Sequence, residues 1–223
     1  MNQDIFTPER IIPALIGYVI VLISLSAHEW GHAFAASKLG DDTARQMGRV
    51  SFNPLAHIDP VGTVLIPLFA LFSGYPVIGW AKPVIVNPAN LRTTTARSLV
   101  TIAGPAMNLL IALAAAIALG LVASYMPANY TPAAIYYVAL TMMINIGLMI
   151  FNLLPVPPLD GSKFLMYWFG MSGRAYNAFA RFGWFVLMAI FYIPATSGWL
   201  TQLIQWVTVP FLGIARTLQN ILS

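Results

Sequence analysis

Ser98-Leu99-Val100-Thr101-Ile102-Ala103-Gly104-Pro105-Ala106-Met107-Asn108-Leu109-Leu110-Ile111-Ala112-Leu113 opens a run of 62 residues, Ser98 to Leu159, without one Asp, Glu, Lys or Arg. A helix needs about 20 apolar residues to cross a hydrocarbon core. The run therefore predicts two crossings, about 95–125 and 133–154, divided at Met126-Pro127-Ala128-Asn129-Tyr130-Thr131-Pro132. A second uncharged run, Phe182 to Ala215, covers 34 residues and predicts two shorter helices, about 178–193 and 199–218. Upstream, 11–37 is a further long apolar helix. The whole chain agrees: of 223 residues 59% are hydrophobic and 8% charged, and mean hydropathy is +0.77. A soluble domain carries roughly 25% charged residues. Disorder, collagen and coiled coil are excluded by the apolar content and the lack of a short repeat. A net charge of +4 spread over the length gives no nucleic-acid-binding stripe. With no cysteine there is no disulfide framework and no thiolate chemistry. No small-residue cleavage site follows the first apolar stretch, so no cleavable signal peptide is expected.

The few charges orient this layout. Lys38, Arg45 and Arg49 lie in one loop, Lys82, Arg92 and Arg97 in a second, Lys163, Arg174 and Arg181 in a third. The turns at 126–132 and 194–198 carry no basic residue. By the positive-inside rule the three basic loops share the cytoplasmic side. That holds only if 61–80, short and broken by Pro67, returns to the side it left. The N-terminus is then outside and the C-terminus, with Arg216, inside. The expected fold is an all-α polytopic membrane protein forming one domain over 1–223. Its core covers about 11–169 and its peripheral helices about 175–220. It has about five transmembrane helices, a short re-entrant segment at 61–80, and minor β-strands at 49–52 and 79–88.

Two acidic residues lie within or against long apolar runs, Glu29 and Asp160. Ionisable groups at membrane depth are costly and mark function. Glu29 belongs to His28-Glu29-Trp30-Gly31-His32. On a helix, positions i and i+4 share a face, so His28 and His32 offer two imidazoles to one metal. Glu29, about 100° around the helix, is in reach of a water at that metal as general base. A catalytic zinc takes three protein ligands. No Glu follows Glu29, which leaves His57, Asp41, Asp42, Asp59 and Asp160 as candidates for the third. Helix rise favours Asp160. His32 and His28 sit ~9 and ~15 Å from the Lys38 end, and Asp160 returns to that end if 61–80 is re-entrant.

The chain resembles the site-2 proteases, a family of intramembrane zinc metalloproteases, over about residues 20–169. The resemblance rests on Ala27-His28-Glu29-Trp30-Gly31-His32-Ala33, the stretches 53–63 and 79–88, Gly104-Pro105-Ala106-Met107-Asn108, and Asn152-Leu153-Leu154-Pro155-Val156-Pro157-Pro158-Leu159-Asp160-Gly161. It implies that His28, His32 and Asp160 bind Zn²⁺ and that Glu29 activates water. It also places two asparagines near the site, Asn108 and Asn152, to hold the scissile peptide or its oxyanion. Asn145 matches no motif and reads as an interhelical hydrogen bond. The expectation is a compact form, without the PDZ or CBS domain or the extra N-terminal span of larger members. The implied substrate is a transmembrane segment of another protein in a lipid bilayer. The implied location is a prokaryotic plasma membrane, with the site toward the cytoplasm. Residues 79–88 or 49–52 could pair with an unwound substrate as an added strand. Two rival readings use the same residues: a membrane metal-binding or transport protein, which would not need Glu29, and a catalytically inactive helix-binding member of the family.

Overall fold

The computed structural model describes residues 7–67, 69 and 80–222. It is a helical bundle built on α1 (Pro8–Lys38), α3 (Thr94–Tyr125) and α4 (Thr131–Asn152). These three are long and apolar enough to cross a membrane, and the protein is an integral membrane protein. Between them lie a short α2 (Thr43–Gln46), a 3₁₀ turn at Pro54–His57 and a π-helical turn at Pro60–Leu65. After α4 come a 3₁₀ turn at Asp160–Ser162, α5 (Lys163–Tyr167), α6 (Gly173–Tyr192) and α7 (Pro194–Leu222).

Small residues let the central helices approach closely. Ala112, Ala115 and Ala116 of α3 are buried against Met142, Ile146 and Ile150 of α4, with Leu200 of α7 completing the cluster. Without a hydrophobic drive between helices in lipid, such contact surfaces and interhelical hydrogen bonds hold a bundle together. Thr93 caps α3 by accepting from the Ala96 N–H at 3.0 Å, which satisfies one of the free donors of the first turn.

The path between α1 and α3 decides the site. Ala36, in the last turn of α1, packs with Leu91 and with Val100 near the start of α3. The chain thus leaves α1 and enters α3 at the same end of the bundle, as the charge pattern requires. Residues 68 and 70–79, on which the re-entrant expectation chiefly rests, lie outside the described residues. At their near edge, the Tyr18 hydroxyl of α1 donates to the Thr63 carbonyl.

Three features differ from expectation. None of the described residues forms a strand. Residues 49–53 turn locally instead: the Ser51 carbonyl takes the His57 ring nitrogen at 2.9 Å, and the Asn53 N–H donates to Ser51 Oγ at 3.0 Å. Residues 80–86 join no ladder: the Trp80 and Lys82 N–H groups donate to the Gly62 and His57 carbonyls, and the Val84 N–H to Glu29 Oε2. The helix count also differs. Pro194 breaks the last uncharged run, and α6 and α7 meet at a 78° bend that reads as one broken span or a re-entrant pair. Among the described residues three helices are long and apolar enough to span, or four with that pair as one, against the five expected. Finally, α6 packs near the Asp160 end, with Leu187 on Val156 and Leu159. The Ala215 carbonyl and Leu218 of α7, by contrast, lie against Gly120, near the far end of α3. Arg216 therefore sits at the end of the bundle opposite Lys38, contrary to the expected shared side.

Candidate metal centre

His28, Glu29 and His32 lie in the second half of α1, where Gly31 and Gly104 bring α3 close. A Cβ at Gly31 would meet the Ala103 carbonyl at 2.6 Å. A Cβ at Gly104 would collide with both imidazoles. The two rings stand edge to face, with centroids 4.7 Å apart. Asp160 arrives from the turn after α4. Its Oδ2 lies 3.2 Å from His28 Nε2 and 2.9 Å from His32 Nε2, and the two Nε2 atoms are 3.1 Å apart. All three side chains are buried. Of the five candidates for a third ligand, the structure brings Asp160 to the histidines. Asp41 is tied to 87–90, Asp59 accepts from the Val61 and Gly62 N–H groups, and Asp42 is on the surface with Arg45. His57 is buried beside Ser51.

The remaining ring nitrogens set the tautomers. His28 Nδ1 lies 2.7 Å from Asn108 Oδ1, and His32 Nδ1 lies 2.7 Å from the Val100 carbonyl. Both partners accept, so both Nδ1 atoms carry the proton and both Nε2 atoms present lone pairs. Asn108 is oriented in turn. Its Nδ2 donates to Asn145 Oδ1 at 2.9 Å, and Asn145 Nδ2 donates to Ser24 Oγ and the Thr141 carbonyl, each at 2.9 Å. The Thr141 carbonyl, which can only accept, thereby fixes the sense of the whole chain of bonds. Three lone-pair donors facing one another about 3 Å apart repel unless a cation lies among them. Tetrahedral zinc with bonds of ~2.0–2.2 Å sets its ligand atoms ~3.3 Å apart, so this donor set fits zinc.

A cavity of about 400 Å³ opens beside the cluster. Its lining includes His28, Glu29, His32, Asp160, Val84–Val86, Arg97, Asn152, Lys163 and Tyr167. Glu29 Oε2 accepts the Val84 N–H at 2.7 Å, which holds the carboxylate against the 80–86 segment. Asn152 faces the cavity, its Nδ2 bonded back to the Leu148 carbonyl at 3.0 Å. Asn108 does not line it: fully buried, it is committed to His28, Asn145 and the Ser24 carbonyl. The expectation that Asn108 faces a substrate therefore finds no geometry here. Asn145 and Lys163 carry contacts at the cluster that the motifs do not announce. The available signal was the rarity of amides in apolar helices for Asn145, and the i,i+3 spacing from Asp160 for Lys163.

The chain is similar to known proteins. The family model for peptidase family M50 matches residues 16–129 and 120–193. YwhC of Bacillus subtilis (strain 168), named as an inferred zinc metalloprotease, is 35% identical over 202 residues, covering 88% of this chain and 88% of its own. Rip2 of Mycolicibacterium smegmatis, named likewise, is 29% identical over 189 residues, covering 83% of this chain and 70% of its own. Rip2 of Mycobacterium tuberculosis (strain H37Rv) is 29% identical over 187 residues, with the same shares. No solved structure matches the chain. The matched region holds the three helices and the His₂Asp cluster together, and by this measure the chain belongs to peptidase family M50, the site-2 protease family, and is a zinc metalloprotease.

Proposed function

We propose that this protein is an intramembrane endopeptidase. It cleaves transmembrane segments of other membrane proteins near the cytoplasmic face of a prokaryotic plasma membrane. The carrying observation is the His28, His32 and Asp160 triangle at one end of three apolar helices, with Glu29 on the same cavity. His28, His32 and Asp160 are the proposed zinc ligands. Bound zinc supplies a Lewis acid that polarises water and the scissile carbonyl. Glu29 takes the proton of the attacking water and delivers it to the leaving amine. Its Oε2 is held by Val84, which leaves Oε1 to receive that proton. Asn108 acts by holding His28. Asn152 is the amide left to meet the substrate.

The substrate must be extended where it is cut, because a helical peptide bond is shielded by its own turns. The segment 80–86 suits an extended partner. Its Trp80, Lys82 and Val84 N–H groups point inward, to the Gly62 and His57 carbonyls at 3.1 and 2.8 Å and to Glu29 at 2.7 Å. Alternate groups along an extended chain face the other way, so Ala81 and Ile85 offer theirs to an added strand. The topology that serves this reading is an outside N-terminus, a re-entrant 61–80, and basic loops on the cytoplasmic side.

The test uses purified protein in detergent with a model transmembrane substrate. Chelator-sensitive cleavage should fall by about 10²–10⁴-fold in Glu29→Gln, while zinc content stays at the wild-type level. Cleavage that survives this substitution would sink the mechanism.

A further inference from the structure

The two oxygens of Asp160 have different partners. Oδ2 faces the imidazoles, and Oδ1 accepts from Lys163 Nζ at 2.8 Å. The Asp160 side chain is 8% exposed and that of Lys163 38%. The carboxylate is thus held inside while the ammonium sits at the cavity wall, in reach of water. No other donor to Oδ1 appears among the described residues.

The turn that carries both residues is rigid. A Cβ at Gly161 would collide with the Leu153 carbonyl, so the turn presses against the end of α4. Ser162 Oγ bonds the Leu159 carbonyl at 2.6 Å and the Tyr176 hydroxyl of α6 at 2.9 Å. The backbone of Asp160 is therefore fixed by packing, but its carboxylate can still turn about its terminal torsion. Oδ1 is the atom that decides the turn.

We propose that Lys163 is a positioning residue for the metal centre. By binding Oδ1 it turns a single oxygen of Asp160 toward the histidines. This deepens the proposed function and rests on its ligand assignment. Without the ammonium, a buried carboxylate oxygen loses its partner, which is costly. The carboxylate then relaxes by offering both oxygens to the cation. Outer partners of metal ligands commonly hold 10–100-fold in affinity.

The experiment measures Zn²⁺ affinity of the full chain in detergent against a chromophoric chelator, and the visible spectrum of the Co²⁺-loaded protein. Lys163→Met should weaken zinc by about 10–100-fold and lower the Co²⁺ band intensity, as the freed oxygen raises the coordination number. Lys163→Arg should return affinity to within a few-fold of wild type with the wild-type spectrum. Lys163→Gln, which keeps an N–H donor without the charge, should fall between them. Helicity and elution volume of the metal-free proteins establish that each is folded, and the Gln and Arg variants carry the comparison if the Met variant is not. Zinc affinity and Co²⁺ spectra unchanged in the uncharged variants would overturn the inference, as would an Arg variant no better than they are. A wild-type chain that binds no zinc would overturn the ligand assignment itself, and so separates the two failures.

Discussion

His28 and His32 are equivalent on a helical wheel but are held differently. One ring leans on a side-chain amide and the other on a backbone carbonyl. Both hydrogen bonds come from α3, so the register of α3 against α1 sets the tautomers of both imidazoles. Gly104 sits at the point of closest approach. A methyl group there would overlap His32 Nε2 and crowd the His28 ring, and neither ring can swing away without giving up its Nδ1 bond. Gly104→Ala is therefore expected to lose zinc binding and to destabilise the bundle by about 1–3 kcal/mol, the usual size of overpacking. Thermal unfolding with and without zinc reads both: the wild type should gain stability from the metal and the variant should not. Glycine at 104 was legible as a close approach between helices. That its neighbours would be the two imidazoles was not, because they lie more than 70 positions away in the chain. Asn145 was read as a structural amide, and it does bridge helices. Its bond to Asn108, which in turn holds His28, depends on α4 lying beside α3 and has no local signature.

At the scale of elements, the segment 80–91 is held over the site from two places. Glu29 binds Val84, and Asp41, just past the end of α1, binds the turn that follows. Asp41 is fully buried and accepts from the Thr43 N–H and hydroxyl, the Asn87 N–H and Asn90 Nδ2, at 2.5–3.2 Å. Burial disfavours its charge, but the bonds from Thr43, Asn90 and Asn87 together outweigh it and hold the carboxyl below the usual aspartate range. A carboxyl with a lowered folded pKa contributes stability above its unfolded pKa of ~3.9, and loses it as pH falls through the folded value. Asp41→Asn, with one accepting oxygen in place of two, is expected to cost about 1–3 kcal/mol near pH 7. The gap to wild type should shrink below pH ~4. Helicity melts of both proteins across pH 3–7 check it, and a gap independent of pH would contradict the account. In the sequence, Gly40-Asp41-Asp42 looks like a solvated turn. Burial of Asp41 arises only because 87–90 folds back onto it. The strand expected at 79–88 is not found among the described residues. What its N–H groups bind was beyond local reading, and they found loop carbonyls and a carboxylate instead of a neighbouring strand.

For the whole molecule, polar chemistry collects at one end of the bundle and apolar packing fills the rest. The Asp160 turn, the last turn of α1 and the first turns of α3 meet there, and α6 starts there with Gly183 pressed on the Pro157 carbonyl. The other end holds the turn at 126–130 and the last turns of α7. α6 packs at the Asp160 end and the last turns of α7 pack on Gly120 near the other, which places the C-terminal turns opposite Lys38. The chain has no cysteine, so single-cysteine variants report sidedness without background. Arg45→Cys should be shielded from a membrane-impermeant maleimide in intact cells, whereas Asn129→Cys and Gln219→Cys should react. Reaction of Asn129 but not of Gln219 would restore the five-span arrangement with the C-terminus inside.

The sequence by itself determined that the chain lives in a membrane, where its long apolar helices run, and which residues are able to bind metal. Those follow from composition and helical spacing, which are local properties. It also required that α1 and α3 meet at one end, because charge asymmetry and the reach of Asp160 ask for the same path. Only the tertiary structure decided how His28, His32 and Asp160 are held, by Asn108 with Asn145, by the Val100 carbonyl and by Lys163. Only it decided that the two helices of the last uncharged run meet at a sharp bend. Both depend on contacts between segments distant in the chain, where a hydrogen bond or a proline bend takes its meaning from the neighbour it meets.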